Sequence, residues 1–443
     1  MKYGVLFNKG NVNLGDDIQA YATARFYPSL DYFVDREHIH EFQSENNEPV
    51  AVIMNAWYMW EKWHWPPARC IVPHMVGIHY ADHELSLQPG SPLKYEALEG
   101  LGGEYLKAYA PIGCRDYYTM NQMKKLGIDC YFSGCITLTL PQMPIVKPEK
   151  EYICIVDVDA RVKNRLVKLL GNSGYELKIM THTGERDENR TWEQRKEKVE
   201  ELLTTYRNAK CVITKKLHCS LPCLSQGTPV VLIKQMDDDI RFSPYYDFLH
   251  YIKTDDFLAG NYDYDFTNPK PNKPDYKPVR EALIRSCEEF VARMSTEERS
   301  AEELDRFTVS DAEVDRWRYD LMNQTLHMWV GQSWKERKDL KDLKNQRDRL
   351  QKQISTLTEE NQMLREGKDP SADTGHSQTL EKTRVRKVHR WQYILMDSLL
   401  RMRLERTRQA HKKLKELKRE RGKLKKQLKA LKKENRKLRK GKA

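Results

Sequence analysis

The sequence predicts an α/β protein of two Rossmann-like lobes followed by a C-terminal α-helical coiled-coil region, and three observations carry that prediction. Short apolar runs alternate with helical stretches through residues 1–265, the pattern of βαβ units around parallel sheets. Leu343, Leu350, Leu357 and Leu364 recur every seventh residue, as in a coiled-coil seam. Charge is also uneven: from Glu381 onward 26 Lys and Arg face 6 Asp and Glu, a net +20 in a chain of +12, so the remainder carries −8. The excess positive charge therefore belongs to an appendage. The expected divisions are residues 1–145 and 146–265 for the two lobes, 266–335 for linker and packing helices, 336–366 for a coiled coil, 367–379 for a flexible linker and 380–443 for a basic helical or coiled-coil tail.

No run approaches membrane-spanning length, and residues 1–7 lead directly into a strand without a charged-then-apolar leader. Nine cysteines, an odd number, fit reduced thiols better than a disulfide framework. A cytoplasmic location is the expectation.

The first strand spans residues 3–7. A loop bearing Asn13 and Gly15 follows, then Asp16 and Asp17 ahead of a helical run over 18–26. Two readings stand for Asn13, Gly15 and Asp16: capping of the helix, or a place beside a substrate, with Gly15 permitting close backbone approach and Asp16 accepting a hydroxyl proton. Strands are expected at 32–34, 50–54 and 75–79. Between the last two, residues 55–65 (NAWYMWEKWHW) hold Trp57, Trp60, Trp63 and Trp65, which form either a lip for stacking sugar rings or an aromatic mini-core under a loop. The spacings of His74, His79 and His83 match no metal-binding pattern, and no metal is expected. After a helix over 93–109 and a short strand, Arg115 stands at a strand end. There it can grip a carboxylate or phosphate with two parallel hydrogen bonds, or form a surface pair with Asp116. A helix over 117–126 and a closing strand over 133–140 complete this half.

The second half reads as strand 152–156, helix 162–170, strand 177–180, helix 192–208 and then residues 211–233 (CVITKKLHCSLPCLSQGTPVVLI), a strand–turn–helix–strand unit. In open α/β sheets ligands settle beyond the carboxyl ends of strands, and here that place holds Lys215, Lys216 and His218 at a helix start. Two cations, an imidazole and free backbone N–H groups suit an anion whose chemistry needs a proton moved; the other reading is solvated lysines and a structural histidine. Neither half contains the glycine fingerprints of dinucleotide or P-loop nucleotide binding.

Four stretches together resemble the polysaccharide pyruvyl transferase family. They are residues 11–22 (NVNLGDDIQAYA), 113–119 (GCRDYYT), 133–140 (SGCITLTL) and the Leu-His-Cys run continuing into Gly-Thr-Pro-Val-Val. The family usually has Arg where this chain has Lys216, and an ammonium lacks the bidentate fork of a guanidinium. The resemblance implies a GT-B-like pair of lobes, the N-terminal one on the acceptor side and the C-terminal one on the donor side. It also implies phosphoenolpyruvate as donor, a sugar or polysaccharide acceptor and a pyruvate ketal as product, with no cofactor beyond that co-substrate. On this reading His218 is the general acid, and Arg115, Lys216 and the Leu217 N–H hold the donor's anions. Asp16 activates the acceptor hydroxyl, and Asn13, Gly15 and Trp57 line the substrate site. Two rivals remain: a GT-B glycosyltransferase using a nucleotide sugar, and a coiled-coil scaffold retaining a degenerate enzyme fold.

Beyond residue 253 the chain is Pro- and Asp-rich to residue 277, and a helix over 279–294 is expected to pack back on the lobes. In the heptads that follow, Asn361 on the companion seam favours a parallel two-stranded homodimer. A second heptad run places Leu417, Leu424, Leu431 and Leu438 on one seam. Residues 385–404 interleave aromatic and apolar side chains with arginines, which suits an anionic membrane surface first, an oligomer helix second and nucleic acid last.

Overall fold

The computed structural model describes residues 1–8, 10, 12–58, 62–80, 98–184, 189–234 and 241–365. Met1–Met322 forms one compact unit. Its first half contains β1 (Lys2–Phe7), α1 (Leu14–Ala24), β2 (Tyr32–Asp35), β3 (Val50–Ile53), β4 (Trp57–Tyr58), β5 (Ile71–His74), β6 (His79–Tyr80), α2 (Leu101–Ala108), β7 (Ile112–Cys114), α3 (Tyr117–Lys125) and β8 (Cys130–Phe132). The second half contains β9 (Tyr152–Val156), α4 (Ala160–Leu170), β10 (Glu176–Met180), α5 (Trp192–Arg207), β11 (Cys211–Thr214), α6 (Leu217–Gln226), β12 (Val230–Lys234), β13 (His250–Lys253) and α7 (Thr254–Ala259). Helices α8 (Tyr276–Ser295), α9 (Ala301–Leu304) and α10 (Asp311–Arg365) follow.

The predicted pair of parallel α/β sheets is present. One sheet has the order β2-β1-β3-β5, the other β10-β9-β11-β12-β13, and all their pairings are parallel. Strands β3, β9 and β11 are buried along their whole length, which explains their unbroken Val, Ile and Cys runs: helices cover both faces of such strands. Helix α4 buries Val162, Leu166 and Leu170, four apart, and α5 starts on a Thr191–Gln194 capping box. In each half the strand order reverses next to the first strand, between β1 and β3 and between β9 and β11. That reversal opens the crevice where doubly wound sheets bind ligands.

Helix α1 of the first half packs in one apolar core with α5 and α6 of the second, through Ile18, Ala22, Leu203, Tyr206, Leu217 and Leu221. Polar contacts join the halves too. Arg195 Nη1 donates to Asp17 at 2.8 Å, the Tyr21 hydroxyl donates to Glu200 at 3.0 Å, and Leu14 N–H donates to the His182 carbonyl at 2.9 Å, next to a bridge between Asn13 and Thr183.

Several local expectations are corrected. Helix α1 begins at Leu14 with Asn13 as its N-cap, so Asp16 and Asp17 lie inside the first turn and do not cap it. The strand expected over 75–79 is not there: β5 ends at His74 and β6 begins at His79, and residues 75–78 link them through a bend at Gly77, φ +65°. A Cβ at that glycine would fall 2.0 Å from Asn55 Oδ1. Residues 133–140 hold no strand. Ile136–Thr139 is a 3₁₀ turn with all four residues buried, and burial on every side leaves no periodicity to separate turn from strand. Helix α2 is shorter than residues 93–109, of which 93–97 lie outside the described residues. Helix α7 occupies a stretch expected to be irregular.

Helix α10 runs through the first heptad region, whose seam side chains lie outside the described residues. So do the linker at 367–379, the basic segment and the second heptad run. Among the described residues no helix is long and apolar enough to cross a membrane.

Candidate functional site

The two strand-order reversals supply the two sides of the site. In the second half β11 ends at Thr214 and the chain turns through Lys215 and Lys216 into α6. Lys216 is the N-cap residue, extended at φ −100°, ψ 132°, and no side chain caps the helix. The Cys219 N–H turns back to the Lys216 carbonyl at 3.3 Å, which leaves the N–H groups of Leu217 and His218 to face an anion. Lys216 Nζ lies 3.9 Å from Asp157 Oδ2 at the end of β9, and Lys215 Nζ lies 3.2 Å from Asp159.

His218, one residue into that helix, stands between the halves. Its Nε2 is 3.7 Å from Cys135 Sγ, and the Thr137 hydroxyl donates to the same sulfur at 3.4 Å. On the other ring edge lies Gly15, where a Cβ would stand 2.6 Å from His218 Nδ1. Glycine at this position is therefore a steric requirement. Burial first, and then Arg115, His182, Arg241 and Lys216, hold the imidazole well below its ordinary value, so the unliganded ring is neutral at neutral pH.

The first half contributes Arg115, fixed by its backbone: its N–H donates to the Ile78 carbonyl at 2.8 Å, and its carbonyl accepts from the Tyr245 hydroxyl at 2.7 Å. The side chain belongs to a residue only 1% exposed, yet Nε, Nη1 and Nη2 find no hydrogen-bond partner among the described residues. Its guanidinium carbon lies 5.7 Å from the Trp57 ring centroid, and that of Arg241 lies 5.7 Å from the same ring. Trp57 also packs on His79 at 5.0 Å. His79 Nδ1 is 2.6 Å from Asp116 Oδ2, both side chains fully buried. Burial alone would raise the Asp116 carboxyl, but the hydrogen bond and charge of His79, with Arg115 beside it, bring it below the usual range.

The structure thus brings Arg115, Trp57, Lys216, Leu217, His218 and Gly15 to one corner. The surface Arg115–Asp116 pair is not found: both residues are buried, and Asp116 serves His79 and caps α3 through Thr119 N–H. The tryptophan segment divides. Trp57 joins the site, whereas Trp63 and Trp65 are core residues at 7% and 2% exposure, and Trp60 lies outside the described residues. Asn13 is exposed and accepts from Gly15 N–H at 3.2 Å. Asp16 lies 3.5 Å from Arg36 Nη1 and lines, with Asp17, Arg36 and Asn55, a small cleft. His74 stacks on Phe290, away from the His79–Asp116 pair, and His83 lies outside the described residues. Sequence reasoning missed Arg241, which follows no motif, and the partnership of His79 with Asp116, which are distant in the chain.

A family model for polysaccharide pyruvyl transferase matches residues 13–235, the segment that carries this corner apart from Arg241. No curated protein matches the chain. Among solved structures, the UDP-GlcNAc 2-epimerase of Methanocaldococcus jannaschii in complex with UDP-GlcNAc and UDP is 10% identical over 67% of this chain and 100% of its own, at TM-score 0.38. A glycosyl transferase of family 9 from Veillonella parvula is 12% identical over 66% of this chain and 97% of its own, at TM-score 0.28. The wall teichoic acid polymerase TagF is 12% identical over 73% and 89%, at TM-score 0.32. The assignment rests on the family match, which spans half of the 443 residues: the chain belongs to the polysaccharide pyruvyl transferase family.

Proposed function

We propose that the chain moves the pyruvyl group of phosphoenolpyruvate onto two hydroxyls of a sugar in a cell-surface polysaccharide or its lipid-linked precursor, giving a ketal and inorganic phosphate. The observation that carries this reading is the Arg115 guanidinium, buried and without a hydrogen-bond partner among the described residues. Leaving a buried cation unpaired is costly, and a small anionic ligand would relieve that cost.

The reaction begins with protonation of the donor's methylene carbon, which becomes the methyl group and leaves an oxocarbenium-like centre. One acceptor hydroxyl adds there, phosphate departs, and the second hydroxyl closes the ketal. Of the two hydroxyl protons, one returns to the acid and the other leaves with phosphate. His218 supplies the first proton. Its ring is neutral in the empty site, held so first by burial and then by nearby cations; donor anions offset those cations and so raise the imidazole's proton affinity as the donor binds. Arg115, Lys216, the Leu217 N–H and the start of α6 hold the anions, and the reading needs no metal or cofactor. On the acceptor side the sugar meets Trp57 and Asn13, with Asp16 activating a hydroxyl. The basic tail would keep the enzyme at the cytoplasmic face of an anionic membrane, and the heptads would pair two copies.

The deciding experiment incubates the protein with phosphoenolpyruvate and a panel of free and lipid-linked hexosides and reads phosphate release. Release that depends on the acceptor and is abolished in His218→Ala is the expected outcome. Thermal protection by a nucleoside diphosphate, with none by phosphoenolpyruvate, would replace this reading with a nucleotide-sugar transferase.

A further inference from the structure

Phosphoenolpyruvate carries two anions at opposite ends, and each asks for a partner of matching geometry. Arg115 provides one fork. Lys216 does not readily provide a second: its ammonium is a point charge within 3.9 Å of Asp157, on a side chain 39% exposed. The other fork at this corner is Arg241, whose guanidinium carbon is as far from the Trp57 centroid as that of Arg115, 5.7 Å. The two guanidinium carbons therefore lie no more than 11.4 Å apart, twice their common 5.7 Å distance from the ring centroid.

Their surroundings differ in a way that sorts the two anions. Arg115 is 1% exposed, whereas Arg241 is partly exposed. The carboxylate is singly charged and stays with the product, while the phosphate is the more highly charged group and must leave. Desolvating higher charge costs more, and a leaving group held at the solvent side departs without crossing the site.

Resting on the phosphoenolpyruvate reading, we propose that Arg241 is the phosphate-holding residue and that Arg115 takes the carboxylate, both beside the Trp57 ring. Both arginines also bear on the His218 imidazole, after burial itself, so anions in both forks raise its proton affinity more than an anion in one.

The test titrates the full chain and its Arg241→Gln and Arg241→Lys variants with phosphoenolpyruvate, inorganic phosphate and pyruvate. Arg241→Gln is expected to weaken phosphoenolpyruvate and phosphate by about ten- to a hundredfold, as for loss of charge-assisted hydrogen bonds, and to leave pyruvate binding as in the wild type. Arg241→Lys should recover part of the phosphate affinity. Unchanged pyruvate binding also reports that the site is still folded. A wild type that binds phosphoenolpyruvate alongside an Arg241→Gln variant that binds it equally well overturns this inference alone, as does a variant in which pyruvate weakens as much as phosphate. A wild type that binds neither phosphoenolpyruvate nor phosphate overturns both the inference and the reading beneath it.

Discussion

Two arginines of this molecule are almost equally buried and differently employed. Arg195, 2% exposed, donates to Asp17 across the two halves at 2.8 Å and lies 4.6 Å over the Phe7 ring. Arg115, 1% exposed, faces Trp57 and has no hydrogen-bond partner among the described residues. Buried polar groups in folded proteins are nearly always hydrogen-bonded, so the first arrangement is complete without a ligand and the second is not. The comparison separates a residue that joins structure from one that awaits chemistry, and it does so by partner rather than by burial. Even the complete pair is not plainly stabilising. Burial raises the Asp17 carboxyl above its ordinary value despite Arg195 and its hydrogen bond, as expected where desolvation outweighs attraction.

The sharpest test of the contrast replaces each arginine's role in turn. Arg115→Leu should lower acceptor-dependent phosphate release by about a hundred- to a thousandfold, with a melting temperature unchanged or raised, because it removes an unpaired buried cation. A melting temperature lowered as far as by loss of Asp17 would make Arg115 structural and end the contrast. Next in size, Asp17→Ala should cost about 3–5 kcal/mol of stability by stranding Arg195, read by denaturant unfolding. The double replacement Asp17→Leu with Arg195→Met should recover most of that loss; a strictly additive result would show that the pair is not one interaction.

The smallest effect is in pH. His218 is held well below its ordinary value, His74 is lowered by burial to about 4, and His40 is lowered by burial, then by His64, to about 3. For a histidine depressed in the folded state, the unfolded chain binds the proton first. The resulting penalty is absent above the unfolded value of about 6.5 and grows as pH falls toward the folded value. The melting temperature should therefore fall progressively from about pH 6.5 toward 4, and His74→Phe should flatten part of the slope. Calorimetry of donor binding at pH 7 in buffers of different ionisation enthalpy should show proton uptake, lost in His218→Ala. Uptake that survives in that variant would assign the proton to another group.

Much of the fold was legible because buried parallel strands leave continuous apolar runs and Gly227 marks the end of α6, adopting φ +71°. Residues 133–140 were not. Cys-Ile-Thr-Leu-Thr-Leu alternates like a strand, but these residues are enclosed by α1, α6 and α8, so alternation there reports no exposed face. At the site, Lys216, His218 and Arg115 were legible because strand ends in α/β sheets are where ligands bind. Asp16 and Asp17 show the limit: adjacent and identical in type, one pairs with Arg36 and the other with Arg195, and only the tertiary packing of α1 separates them. Arg241 had no local signal at all, because its significance comes from a tryptophan distant in the chain.

The contacts between the halves carry a last consequence. The Leu14–His182 backbone bond, the Tyr21–Glu200 bond and the Asp17–Arg195 pair would all have to break together before the crevice could gape. The molecule is built less like a jaw than like a casting mould with its walls already set. Small-angle scattering curves taken with and without the donor should then superimpose, and traffic through the site should follow side-chain motion at its rim rather than any swing of the lobes.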